Sequence, residues 1–141
     1  MTDTTTTFED MLIEQMRANG GEIVDGPLTG HPVAIVTTRG ARSGRPRRAL
    51  LTISRDGQDL VAAGTAGGSP TTPAWVHNMR TNPDVTVEFQ AETFPATVEV
   101  IADGPERDRL WTQHVAALPH FAPYPDQTGR LIPMARIRRA G

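Results

Sequence analysis

The sequence predicts a small, mainly β protein: an antiparallel barrel with helices packed beside it. Three observations point there. Short β-branched or alternating runs follow one another through tight turns, which favours antiparallel pairing. Helical patterns interrupt these runs without any regular βαβ repeat, which argues against a parallel sheet. The 141 residues fit one domain that can close a core without disulfides or metals, and the chain has no cysteine.

The elements follow in order. Residues 1–7 are polar and read as a disordered tail, ahead of a single domain over 8–141. Phe8, Met11, Leu12 and Met16 mark one face of a helix. Thr7 with Asp10 resembles a capping box at its start, and Gly20-Gly21 ends it. Packing on the barrel is its plain role; a lid over a pocket is the alternative. Residues 33–38 read as a strand, 39–46 as a Gly-rich basic loop and 49–54 as a second strand. Asp56-Gly57 is a tight turn, 60–63 a third strand and 64–70 a second Gly-rich loop. Thr72 is expected to cap a helix whose first residue is Pro73, running to about Thr81, where Asn82-Pro83 stops it. Val85, Val87 and Phe89 alternate with polar residues, and 94–101 places Ala96, Val98 and Val100 on one side. Asp103-Gly104-Pro105 opens a helix carrying Leu110, Trp111, His114, Val115 and Leu118. Residues 119–129 read as a loop and 131–137 as a last strand, with Pro133 implying an edge or bulged position. The sum is six strands and three helices.

Composition removes several kinds of chemistry. Without cysteine there is no thiol catalysis and no cysteine-based metal site. His31, His77, His114 and His120 form no H-x-x-x-H pair, so no metal is expected. No apolar stretch reaches the ~20 residues of a membrane span. The polar N-terminus lacks the basic start of a signal peptide, so a cytoplasmic location is expected, at the membrane periphery if the substrate is a quinone.

All fourteen basic residues are arginine, which fits GC-rich coding. That bias leaves unexplained why five of them fall between Arg39 and Arg48. In Arg39-Gly40-Ala41-Arg42-Ser43-Gly44-Arg45-Pro46-Arg47-Arg48, glycines permit close backbone approach and guanidinium forks match phosphate or carboxylate oxygens. Ser43 adds a hydroxyl donor. The set suits an anionic group, most simply a phosphate; a solvated charged hairpin is the alternative. A nucleic-acid loop fits poorly, since the net charge is −2 and no aromatic residue lies beside the loop.

The second loop, Gly64-Thr65-Ala66-Gly67-Gly68, would let a flat group approach the main chain. The helix after it points its free N–H groups toward this loop. Trp75 and Asn78 share a helix face; core packing is the plain role of Trp75, and a tie from helix to loop backbone that of Asn78.

These two loops, in this order, resemble the deazaflavin (F420)-dependent nitroreductase family. The matching stretches are Val36-Thr37-Thr38 through Arg47, and Gly67-Gly68-Ser69-Pro70-Thr71-Thr72-Pro73-Ala74-Trp75-Val76-His77-Asn78. Asn82-Pro83 and Arg130-Leu131-Ile132-Pro133 also match, so the likeness spans residues 32–137. It implies a six-stranded antiparallel split β-barrel of the FMN-binding type, with coenzyme F420 in a groove. By position it implies cofactor-tail contacts from Ala41, Arg42, Ser43 and Arg47. It implies contacts along the cofactor's middle from Arg48, Ala49, Leu50, Leu51 and Thr52. Ala63, Gly64, Thr65 and Ala66 would lie beside the deazaflavin ring. Ala74, Trp75, Val76, His77 and Asn78 would form a further wall, with Tyr124 near the reactive face. Thr52, Phe121 and Tyr124 would line the substrate pocket. Ala66 stands where better-studied members carry a basic residue, and Thr52 and Phe121 stand where they carry tyrosines.

The implied activity is that of an F420H2-dependent oxidoreductase, passing a hydride to a quinone, enone or nitroaromatic. Tyr124 is the candidate proton donor; burial of its phenol in a loop is the alternative. An FMN-dependent split-barrel reductase is the rival enzyme, although FMN has one phosphate and no polyglutamate tail for five arginines. A non-catalytic F420- or lipid-binding barrel is the rival from another class. The expected partner is a small electrophile rather than nucleic acid, and the chain is expected to be a monomer or a homodimer.

Overall fold

The structure, a computed structural model, describes residues 8–21, 32–65 and 70–140. The expected tail with its Thr7 cap, His31, Ala66 and the Gly67-Gly68-Ser69 stretch lie outside them. The elements are α1 (Phe8–Ala18), β1 (Val33–Arg39), β2 (Pro46–Thr52), β3 (Ser54–Asp56), β4 (Asp59–Ala63), α2 (Ala74–Thr81), β5 (Asp84–Phe89), β6 (Glu92–Ile101), α3 (Gly104–Ala117), a 3-10 turn (Pro119–Phe121), α4 (Tyr124–Thr128) and β7 (Met134–Arg139). The strands form one sheet in the order β2-β1-β5-β6-β7-β4-β3, antiparallel throughout.

Seven strands stand where six are expected, and the difference is local. The predicted strand at 49–54 breaks at Ile53. β2 pairs with β1, with Thr52 opposite Val33. The Ile53 N–H still donates to the Pro32 carbonyl at 2.9 Å. Ser54 has already changed partner and lies opposite Val61 of β4. A strand that leaves one neighbour for another must bend at the change, and such bends make the corners of barrels. The two edge strands of the sheet are therefore consecutive pieces of chain, and the sheet curls round to meet itself at Ile53.

Alternation fills the interior. Ala34 and Val36 of β1, Leu51 of β2, Leu60 and Ala62 of β4, the expected Val85, Val87 and Phe89 of β5, Phe94, Ala96 and Val98 of β6, and Ala135 and Ile137 of β7 are buried together with Ile53. Strands are covered on the outside as well. Val33 and Ile35 of β1 pack under Leu12, Ile13 and Met16 of α1. Val61 and Ala63 of β4 pack under Leu110 of α3 with Leu118 and Phe121. Burial on both faces explains the unbroken apolar run at 33–36.

Four local expectations change. On α1 the buried stripe is Leu12, Ile13 and Met16, while Met11 is 55% exposed. The helix ends as expected, with Gly20 at φ 67° and the Gly21 N–H donating to the Met16 carbonyl at 2.8 Å. Thr72 does not cap α2; Pro73 occupies that position in extended conformation, without a side-chain cap bond. Pro133 is not in an edge strand. β7 is interior, and Pro133, which has no N–H to give a ladder, sits just before it and accepts the Gly64 N–H at 2.9 Å. The expected loop over 119–129 holds the 3-10 turn and α4, which Gly129 closes at φ 64°.

Beneath α3, His114 is fully buried and its Nδ1 shares a 2.6 Å hydrogen bond with the Ser54 hydroxyl of β3. The Phe121 ring meets the imidazole edge-on at 4.5 Å. Burial first, and then the nearby His120, push the His114 imidazole down to about 4 from its ordinary 6.5. The folded protein thus holds this ring neutral at pH values where the unfolded chain protonates it. The stabilisation is complete above pH 6.5 and is lost as pH falls toward 4, by on the order of 3 kcal/mol. Urea midpoints measured between pH 7.5 and 4.5 should fall steadily for the wild type and much less for His114→Gln; parallel curves would show that His114 does not set the slope.

Candidate cofactor groove

β2 has a strand neighbour on one side only, β1. Along it runs an open groove of about 1110 Å³, above the usual range for a small-molecule pocket. One wall is the arginine hairpin joining β1 to β2, with Gly40, Ala41, Arg42, Ser43, Arg47 and Arg48. The other is the start of α2, with Pro73, Ala74, Trp75, His77 and Asn78. Ala49, Leu50, Leu51 and Thr38 complete the lining.

The hairpin is built to hold its shape. The Gly40 N–H donates to the Arg45 carbonyl at 2.8 Å, and the Gly44 N–H to the Gly40 carbonyl at 2.9 Å. Gly44 turns at φ 69°. A Cβ on Gly40 would lie 2.7 Å from the Ser43 hydroxyl oxygen, which accepts the Arg45 N–H at 3.1 Å. Ser43 therefore shapes the loop and still has its own proton to donate.

Asn78 fastens this hairpin to α2. Its Oδ1 accepts the Ala41 N–H at 2.9 Å, and its Nδ2 donates to the Thr38 hydroxyl at 3.2 Å. The Thr38 hydroxyl donates in turn to the Arg47 carbonyl at 3.3 Å. Asn78 is buried and its amide is spent on the protein, which is the tie expected of it. One turn later the Asn82 Nδ2 reaches the Arg39 carbonyl at 3.5 Å. Trp75 lines the groove with part of its ring and packs the rest against the barrel core, where Met79 is buried.

Charge is unevenly distributed. Arg17, Arg107, Arg109, Arg136, Arg138 and Arg139 each pair with an aspartate or glutamate. Glu106 in that lattice is held down at about 2 by hydrogen bonds from Arg109 and then Arg136. Among the described residues, Arg39, Arg42, Arg45 and Arg47 have no such carboxylate partner, and no Asp or Glu lines the groove. Exposed guanidiniums gathered without acids repel one another, and a bound anion relieves that repulsion.

The remaining sequence candidates stand apart from this lining. Thr52 is half-buried at the end of β2. Ala63, Gly64 and Thr65 are buried at the end of β4. A Cβ on Gly64 would meet Val76 Cγ2 at 2.9 Å and Pro133 Cγ at 3.0 Å, so Gly64 admits protein rather than a ligand on that side. Val76 is buried there. Phe121 is buried beneath α3, and half-buried Tyr124 meets it edge-on at 5.4 Å. The second loop is braced from the C-terminal side: Arg130 Nη2 donates to the Thr65 and Thr71 carbonyls at 3.1 and 3.2 Å. Thr38, Gly40 and Pro73 line the groove and are not among the cofactor contacts that the resemblance implied. The strand alternation that turns Thr38 inward, beside Val36, was the signal available for it.

Among the described residues no helix is long and apolar enough to cross a membrane. A family model described as F420H(2)-dependent quinone reductase matches residues 11–137. An F420H(2)-dependent quinone reductase of Mycobacterium tuberculosis is 31% identical over 110 residues, covering 77% of this chain and 74% of the relative. The solved structure of an F420-H2 dependent reductase, FDR-A, is 32% identical and superposes with a TM-score of 0.68 over 76% of this chain and 94% of its own. A second solved structure, described as a domain-swapped dimer, is 30% identical with a TM-score of 0.70 over 94% of this chain and all of its own. With the split-barrel architecture, the cationic groove and these likenesses together, the chain belongs to the F420H2-dependent quinone reductase family and is an oxidoreductase dependent on reduced coenzyme F420.

Proposed function

We propose that the groove along β2 holds F420 with its phosphate and glutamate tail on the arginine hairpin, and that the enzyme reduces a quinone or another small electrophile. The observation that carries this reading is the donor set. Arg42, Arg47 and Arg48 face the start of α2 across a groove that, among the described residues, no carboxylate lines. A long polyanion suits that wall better than a single phosphate does. Trp75, Ala49 and Leu51 offer apolar surface for the uncharged parts of the cofactor. When bound, reduced F420 supplies a hydride to the acceptor, and one proton completes the two-electron reduction.

The chain's own residues bind, orient and protonate. The hairpin arginines hold the tail, each charge-assisted bond contributing about 1.5–3 kcal/mol. Asn78 positions the hairpin rather than touching the cofactor, since its amide bonds are made to Ala41 and Thr38. Tyr124 is proposed to donate the proton, or to hydrogen-bond the developing oxyanion of the substrate. Its partial exposure supports this, as does the bracing by Arg130 of the second glycine loop against the segment that follows α4. Ala63, Gly64, Thr65 and Ala66 are proposed to border the ring through that loop, with Thr52 and Phe121 shaping the far side of the substrate space.

Three outcomes are expected. Calorimetry should show oxidised F420 binding at micromolar or tighter affinity and FMN far more weakly; tight FMN binding with weak F420 binding would replace the cofactor assignment. Arg47→Ala should weaken F420 binding by about tenfold to a hundredfold, and Asn78→Ala should weaken it through the unpinned hairpin, whereas equal affinity in both variants would place the tail elsewhere. Tyr124→Phe should lower kcat with menadione while leaving the Kd for F420 within about twofold. Unchanged turnover would remove Tyr124 from the chemistry.

A further inference from the structure

His77 sits on α2, exposed and facing the groove. The next residue, Asn78, is fixed to the hairpin through Ala41, so the backbone that carries His77 is held in place relative to the arginine wall. The charged groups around it are known from both elements that form the groove. The hairpin contributes Arg42, Arg47 and Arg48, and α2 contributes Arg80 one turn further on. Among the described residues no Asp or Glu lines the groove. Guanidiniums stay charged at every physiological pH, and among the described residues that line the groove His77 is the only histidine, the residue type suited to taking up a proton near neutral pH.

We infer that His77 is a proton-linked anchor, taking up a proton as the anionic tail of the cofactor settles on this wall and making cofactor affinity fall as pH rises. The inference rests on the proposed placement of F420 in the groove. A bound polyanion favours the imidazolium. By linkage the bound state then holds more protons than the free state, and affinity declines through the imidazole range. A displacement of one pKa unit on binding corresponds to about a tenfold change in affinity between the acidic and alkaline limits.

The test is calorimetric titration of oxidised F420 from pH 5.5 to 8.5, in two buffers of different ionisation enthalpy, on the wild type, His77→Gln and His77→Arg. Comparing variants at each pH cancels any ionisation of the cofactor itself. Wild-type affinity should match His77→Arg at low pH and approach His77→Gln at high pH. The wild-type to His77→Gln ratio should change by about three- to tenfold, with greater proton uptake on binding in the wild type than in either variant. A ratio constant with pH and no difference in proton uptake would overturn the role of His77. Failure of the wild type to bind F420 at any pH would instead overturn the groove assignment on which the inference rests.

Discussion

The partner switch at Ile53 is the constraint from which the rest of the architecture follows. One run of chain pairs with β1 up to Thr52 and with β4 from Ser54 onward. This closes the sheet on itself, yet it leaves β2 without a second strand neighbour. The unpaired side of β2 is where the groove lies, and α2 stands across from it. Met79 of α2 is buried with the barrel core, while Trp75 divides its ring between that core and the groove. The same corner that completes the barrel therefore opens the site.

A second level of organisation fixes the polar chemistry on that frame. An exposed hairpin rich in arginine would sample many shapes if it were held only at its ends. Here the Gly40–Arg45 bonds make a compact loop, and Asn78 clamps it from a helix anchored in the core. Binding an anion then costs little loop ordering, because the loop is already in place. Side chains that appear in the groove thus divide into those free to meet a ligand, such as Arg42 and His77, and those occupied in holding the wall, such as Asn78 and Thr38.

Much of this was legible in the sequence. Val85, Val87 and Phe89 announce a half-buried strand, and Gly20-Gly21 a helix end, because each depends on its own neighbours. The arginine run and the W-x-x-N spacing identified both walls of the groove. Contacts distant in sequence were harder to see. Nothing local to residues 49–54 reveals that the chain changes strand partners at Ile53. Nothing local to Gly64 reveals that Val76 and Pro133 approach its backbone on one side. Met11 and Ile13 are both apolar, and the packing of α1 against Val33 and Ile35 of β1 decides which one is buried. The short α4 went unpredicted because two prolines and an aspartate around Tyr124 read as turn formers.

The gathering of arginines in the hairpin gives the molecule an electrical axis. The net charge is −2 although five positive charges sit in the hairpin, so the remainder of the surface is net negative. A dissolved polyanion approaching at random would be repelled by most of the protein and drawn toward one end. Encounters would thereby be oriented before any contact forms, and the capture rate would depend on ionic strength far more than the release rate does. If F420 sits in the groove as proposed, the hairpin would act as a directional receiver for the anionic coenzyme as well as its seat.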